Sequence, residues 1–157
     1  MDKKVKKIFL ISILIVVAIA LIDIFALKSQ LFGTYTQYTT GQFPADWWFL
    51  FRNIVFLIIT LVAIVYYILF KDKSEAIAIG VGAHILWFTG FSDLLYFIIQ
   101  GQQIPLLLTH LNNHPVIGWI SLNILKSPDV TSSALWLSAI LGALAAYFSI
   151  KFLKEKF

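Results

Sequence analysis

The sequence predicts an all-α integral membrane protein, and two observations lead to that prediction. Of its 157 residues, 60% are hydrophobic and only 13% are charged, whereas about a quarter of a soluble domain is charged. The apolar residues also cluster into four runs, 8–27, 47–70, 76–99 and 130–153, each at least 20 residues long. At about 1.5 Å per residue, a helix of that length crosses the roughly 30 Å hydrocarbon core and satisfies its own backbone hydrogen bonds. We therefore expect a four-transmembrane-helix bundle that forms a single membrane domain over residues 1–157.

The first run, 8–27, follows a basic leader that contains four lysines. A basic start, an apolar stretch and the small residues Ala18 and Ala20 are also typical of a cleaved signal peptide. Cleavage there would leave a strongly apolar new amino terminus. We therefore expect this run to remain in the protein as the first transmembrane helix.

The second and third runs, 47–70 and 76–99, are separated only by the short loop 71–75. Pro44 and Asp46 precede the second run and are typical of the turn and cap at which a helix starts. We expect each run to form one continuous helix, because a spanning backbone must pair its own polar groups.

The fourth run, 130–153, carries small residues on one face, which predicts close helix packing. Small residues let two helix backbones approach in lipid, where apolar side chains alone do not distinguish protein from lipid. We expect this face to pack inside the bundle, and the alternative is a contact surface for another subunit. The small residues recur every four positions as Ala134, Ser138 and Gly142, and continue as Ala145, Ala146 and Ser149.

The distribution of basic residues predicts how the chain is oriented in a cell membrane. Nine of the twelve lysines and arginines lie in the leader, the 71–75 loop and the carboxyl-terminal tail. The positive-inside rule places these segments, and therefore both termini, in the cytoplasm. Because most lysines flank apolar runs, we interpret the net charge of +4 as a topology signal. We expect membrane lipids as partners and no nucleic acid, with a homo-oligomer or other membrane subunits as alternatives.

The long outer loop 100–129 is more apolar than an exposed loop should be. Pro115 marks a helix start, and the stretch 116–125 is apolar almost all round but too short to span. The stretch predicts a short helix that lies in the membrane interface or dips back as a re-entrant segment. Tryptophans at the outer ends of the runs are typical of an interfacial aromatic belt: Trp47, Trp48, Trp119 and Trp136.

Three charged residues lie inside the apolar runs, where charge is energetically unfavourable and often functional. Asp23, Arg52 and Asp93 each lie four to six residues from the outer end of their run. Counted along helices, all three fall roughly 6 to 9 Å below the outer boundary. We therefore expect them to form one polar network in a single layer.

We interpret this layer as a polar pocket in the outer half of the bundle that binds a lipid-like or amphiphilic small molecule. On a helix, Asp93 shares a small and polar stripe with Tyr96 and Gln100, which indicates that it faces protein or water. Asp93 is also the candidate catalytic residue, because two carboxylates that share one cation favour protonation of one of them, as a general acid requires. The expected ligand-binding residues are Asp23, Arg52, Asn53, Asp93, Tyr96 and Gln100.

Three alternatives stand beside this interpretation. In the first alternative, the charges form a structural ion pair that sets the helix register, with Arg52 neutralising either Asp93 or Asp23. In the second, the protein is a non-catalytic subunit of a larger membrane complex. In the third, it is an oligomeric transporter or channel. Whether it is an enzyme is left open by the sequence.

The histidines give weaker signals. His84 lies alone near the middle of the third run, which favours a hydrogen-bonded packing residue over a ligand. His110 and His114 have the i, i+4 spacing of zinc and copper ligands on a helix, but Pro115 follows and the chain has no cysteine. We interpret both as capping or interfacial residues and expect neither a metal nor a cofactor. The chain contains no P-loop, dinucleotide-binding, zinc-protease or nucleophile-elbow motif.

Overall fold

The computed structural model describes residues 2–22, 24–25, 45–108 and 111–156, and within them the regular structure is helical apart from one isolated bridge. Asp23, His110 and most of the first outer loop lie outside the described residues. The helices are α1 (Lys3–Ile22), α2 (Ala45–Phe70), α3 (Lys73–Phe88), α4 (Phe91–Gln100), α5 (Ile117–Asn123) and α6 (Ser132–Lys156).

Several of these helices are long and apolar enough to cross a membrane. Among the described residues they are α1, the Arg52–Phe70 part of α2, and α6. A fourth crossing requires α3 and α4 together, and these two helices are bent by 70° where they meet. The prediction of one continuous helix over 76–99 is therefore wrong, although its apolar composition is confirmed.

The break between α3 and α4 lies at Thr89 and Gly90. Gly90 has a φ of +79°, in the left-handed region that favours glycine, and an added Cβ would lie 2.5 Å from the Ile117 side chain. The Thr89 hydroxyl donates to the Ile85 carbonyl at 2.8 Å, and the Ser138 hydroxyl donates to the Thr89 carbonyl at 2.8 Å. Ser138 thus pairs the Thr89 carbonyl that the break releases, as a non-helical stretch among apolar helices requires.

Helix α3 is the centre of the bundle and packs against α1, α2 and α6. At Gly82 the packing is so close that an added Cβ would lie 2.7 Å from both Ser12 of α1 and Ile150 of α6. Helix α2 is peripheral. In its most apolar 18-residue stretch 11% is buried, against 39% in the corresponding stretches of α1 and α6. Helix α2 therefore presents most of its apolar surface outward.

The small residues of α6 face the protein, which confirms that they pack inside the chain. Ala134, Ser138, Gly142 and Ala146 are all buried, and Gly142 lies directly against Thr89 of α3. Ala145 is exposed and does not belong to this face. The alternative of a subunit contact on this stripe therefore loses its main support.

The segment between α4 and α6 packs against α4 and the first two turns of α6. Leu108 and Leu111 are buried in one cluster with Ile117 and Ile120 of α5 and with Leu135 of α6. The short helix predicted over 116–125 is present as α5, and its other face exposes Trp119 and Leu122. Two hydrogen bonds of Asn112 join the start of this segment to its end. The Asn112 side chain donates to the Asp129 carboxylate and accepts the Val130 N–H, both at 2.7 Å.

Candidate functional site

The break turns α4 away from α3 and changes the setting of Asp93. Asp93 lies in the first turn of α4, not in the middle of a straight span. The positive end of the helix dipole stabilises an anionic side chain at such a position. Asp93, Tyr96 and Gln100 follow an i, i+3, i+7 pattern and are all half-buried, so α4 carries the predicted polar stripe.

On α2, Arg52 and Asn53 are exposed within an apolar helix. Val55, one turn further on, is buried in the same apolar cluster that Phe91 and Leu95 of α4 pack against. Asp93 lies two residues from each of Phe91 and Leu95, so at about 100° per residue it lies on the other side of α4 from that cluster. Neither Arg52 nor Asp93 lacks an interaction partner.

Residue counts give Arg52 and Asp93 similar distances from the turn between α2 and α3. Arg52 lies about 27 Å along α2 from its end at Phe70, and the 16 residues of α3 rise about 24 Å to the break. Asp93 lies in the first turn after that break. Asp23 lies outside the described residues, one position beyond the end of α1 at Ile22, and α1 packs against α4.

Gln100, on the same stripe of α4, has a buried polar atom without a described partner. This atom is the side-chain nitrogen, which among the described residues has no hydrogen-bond partner. Leaving a buried amide donor unpaired destabilises a protein by about 1–3 kcal/mol, so such groups normally meet an acceptor. Gln100 lies on the same stripe as Asp93, two turns along α4.

His84 is a packing residue, as the sequence predicts. Its Nδ1 lies 2.7 Å from the Gly80 carbonyl, and its ring lies against that of Phe56 of α2 at 4.5 Å between centroids. A carbonyl accepts, so Nδ1 carries the proton and Nε2 is the free acceptor. That Nε2 atom is also buried without a partner among the described residues.

His114 organises the start of α5. Its Nδ1 accepts the backbone N–H groups of Val116 and Ile117 at 3.4 and 3.3 Å, and its ring lies near that of Phe88. This geometry confirms a capping role. Within the described residues, no three His, Asp or Glu side chains come together as a metal site, and His110 lies outside them.

The setting of His114 predicts a pH dependence. Burial lowers the pKa of His114 from 6.5 to about 4, so the unfolded chain binds the proton more tightly than the folded one. Stability should therefore fall as the pH falls from about 6.5 to about 4, by on the order of 2–3 kcal/mol. Thermal unfolding in detergent at steps of pH measures this effect. His114→Asn keeps a capping acceptor without a titrating group, and an unchanged pH profile in that variant would contradict the assignment.

A polar cluster at the opposite end of the bundle was missed by the sequence-based interpretation. Glu75 is 6% exposed, and its carboxylate accepts a hydrogen bond from the Tyr66 hydroxyl at 2.6 Å. Lys7 lies 3.5 Å and Lys154 3.9 Å from the same carboxylate. The four side chains come from α1, α2, α3 and α6, so one buried carboxylate links these four helices at the end of the bundle opposite the break.

Asp72 completes this cluster at the start of α3. Its side chain accepts the backbone N–H of Glu75 at 2.8 Å, and Lys154 lies 3.8 Å away. That hydrogen bond holds the pKa of Asp72 below its usual range. Desolvation opposes this shift, and the positive charges of Lys154 and Lys4 add to it. The Asp-x-x-Glu spacing before an apolar run is the signature of a capped helix start, and it was the available signal for this cluster.

The comparisons with known proteins add no family to this picture. No family model matches the chain, and no curated protein or solved structure matches it either. The geometry of the described residues is accordingly the basis on which a function is proposed.

Proposed function

We propose that the protein binds a lipid-like or amphiphilic small molecule at the outer ends of α2 and α4. The polar contacts would come from the exposed Arg52 and Asn53 on one helix and from Asp93, Tyr96 and Gln100 on the other. Asp23 is included from its position in the sequence. The Gln100 side-chain amide is the observation that carries this proposal, because its nitrogen is buried and has no hydrogen-bond acceptor among the described residues.

The chemistry around Gln100 suits a molecule with a polar head and an apolar body. Arg52 and Asp93 offer charges of both signs, which fits a polar or zwitterionic head group. Phe56, one turn from Arg52 on the same face of α2, is exposed and would contact an alkyl or isoprenoid chain. Mostly apolar walls with a few convergent polar groups are the usual composition of small-molecule sites.

Acid–base chemistry by Asp93 is a secondary part of this proposal. Asp93 lies in the first turn of α4, where the helix dipole favours negative charge, so its carboxylate would chiefly accept hydrogen bonds or bind a cationic group of the ligand. The non-catalytic subunit is less well supported, because the small-residue stripe of α6 is buried within the chain.

The experiment is mass spectrometry of the lipid extract from protein purified in native-membrane nanodiscs. We expect an amphiphile at near-stoichiometric amount with the wild type, and at least about fivefold less with Gln100→Leu or Asp93→Asn, since the first removes the buried amide and the second removes the negative charge. Gln103→Leu is the matched control, because Gln103 is exposed in the following loop. Equal recovery from wild type and both site variants would refute the pocket.

A structural ion pair gives a different pattern in the same proteins. If Arg52 and Asp93 serve only each other, Arg52→Leu and Asp93→Leu should each lower the melting temperature, and the double variant should recover part of the loss. Ligand recovery would then follow stability in every variant. Loss of ligand from Gln100→Leu at an unchanged melting temperature distinguishes the pocket from that alternative.

A further inference from the structure

The inner end of the bundle carries far more positive than negative charge. Nine lysines and four acidic residues lie in the amino-terminal leader, the turn between α2 and α3, and the end of α6. This region lies within the described residues, apart from Met1 and Phe157. It is also separate from the site proposed above, which lies at the other end of α2.

All four carboxylates at this end are already engaged. Asp2 accepts the backbone N–H of Lys4 at 2.9 Å, and Asp72 and Glu75 belong to the cluster with Lys7 and Lys154. Glu155 lies 3.8 Å from Lys151 one turn away. The described ion pairs at this end therefore use Lys7, Lys151 and Lys154. Six exposed lysines take part in none of them: Lys3, Lys4, Lys6, Lys71, Lys73 and Lys156.

These lysines lie on helix ends and a turn that contact one another. The leader lysines belong to the first turns of α1, which the contact of Lys7 with Glu75 and Tyr66 fastens to α2 and α3. Lys71 has a φ of +57° in the tight turn between α2 and α3, and Lys73 begins α3. Apolar sequence starts directly after Lys7 and ends directly before Lys71, so the charges lie where the head groups of a bilayer would meet the chain.

We propose that this surface, made of the lysines of the α1 start and of the α2–α3 turn, binds anionic phospholipid head groups. Charge complementarity favours this partner, because the four acidic residues at this end are already engaged and anionic lipids carry negatively charged phosphate groups. Lysines near an anionic membrane surface each contribute measurably to binding, and several on neighbouring elements act together. The proposal is independent of the pocket at the outer end.

The experiment is native mass spectrometry of the purified protein with equal amounts of phosphatidylglycerol and phosphatidylcholine. We expect the wild type to retain the anionic lipid at least about fivefold more than the zwitterionic one, and this ratio to collapse at high salt. The triple variant Lys3→Gln, Lys4→Gln and Lys6→Gln and the double variant Lys71→Gln and Lys73→Gln should each lower the ratio severalfold.

Lys126→Gln is the matched control, because Lys126 is exposed at the other end of the molecule and shares the left-handed backbone of Lys71, with a φ of 56°. Melting temperatures in neutral detergent confirm that the variants are folded, which is expected since these lysines make no described ion pair. A ratio unchanged in both inner-end variants, or lowered equally by Lys126→Gln, overturns the proposal. An oligonucleotide that binds the wild type while the lipid ratio is insensitive to these lysines would assign the surface to nucleic acid instead.

Discussion

Replacing Gly142 with leucine is expected to destabilise the protein by at least about 3 kcal/mol, because α6 lies directly against the end of α3 at this position. Even a single added Cβ would overlap the Thr89 hydroxyl and would lie 2.5 Å from the Thr89 Cβ. Thr89 has little freedom to move, since its hydroxyl bonds the Ile85 and Leu86 carbonyls at 2.8 and 3.1 Å. The two helices must therefore separate, and Ser138 would lose its bond to the Thr89 carbonyl. The melting temperature in detergent measures the loss.

Two further variants make this result specific. Ala145→Leu is the matched control on the same helix, because Ala145 is exposed, and its melting temperature should stay close to that of the wild type. Thr89→Gly combined with Gly142→Ala should recover stability relative to Gly142→Ala alone, since the overlapping atoms are removed. Wild-type stability of Gly142→Leu would mean that α6 does not pack on Thr89.

The second large effect is expected at Glu75. Glu75→Leu should destabilise the protein by about 3 kcal/mol or more, because it leaves Lys154, whose side chain is only 14% exposed, without its buried partner. Asp72 still contacts Lys154, which places the effect at the lower end of the range for broken buried pairs. Lys7 adds little, since its side chain is 57% exposed and water replaces the carboxylate. Chemical unfolding in a mixed micelle gives the free energy.

Glu155→Gln is the matched control for this prediction. It breaks the pair with Lys151 at the same end of the molecule, where the side chains are 66% and 51% exposed, and should change stability by less than about 1 kcal/mol. Glu75→Leu combined with Lys154→Leu should recover part of the loss, because no charge is then stranded. Equal effects of Glu75→Leu and Glu155→Gln would show that the cluster is solvated and contributes little.

The candidate site was predictable from the sequence only in part. Charge within apolar runs is rare enough to single out Arg52 and Asp93 by residue type alone, and helical periodicity groups Asp93 with Tyr96 and Gln100. The unpaired state of the Gln100 amide depends on which groups surround it, and only the packing shows that. His114 was predicted to cap or to lie at the interface, and its bonds to Val116 and Ile117 confirm the first of these.

The sequence by itself determined the all-helical fold and its long apolar helices, which are compatible with membrane insertion. Runs of 20 or more apolar residues leave backbone groups no partner except those in the same helix, so composition and length are sufficient. The small residues of α6 likewise predicted a close contact, because their spacing places them on one helical face.

Only the tertiary structure decided where the third run breaks and how the inner ends of the helices join. Thr89 and Gly90 are compatible with a continuous helix, but Ile117 and Leu135 fill the space that a side chain at Gly90 would need, and Ser138 pairs the carbonyl that the break releases. Glu75 reads in the sequence as part of a short polar loop. It becomes the central residue of the inner end because Tyr66, Lys7 and Lys154 contact it. Local sequence patterns indicate helical periodicity and capping, but they do not indicate which residues distant in sequence will meet.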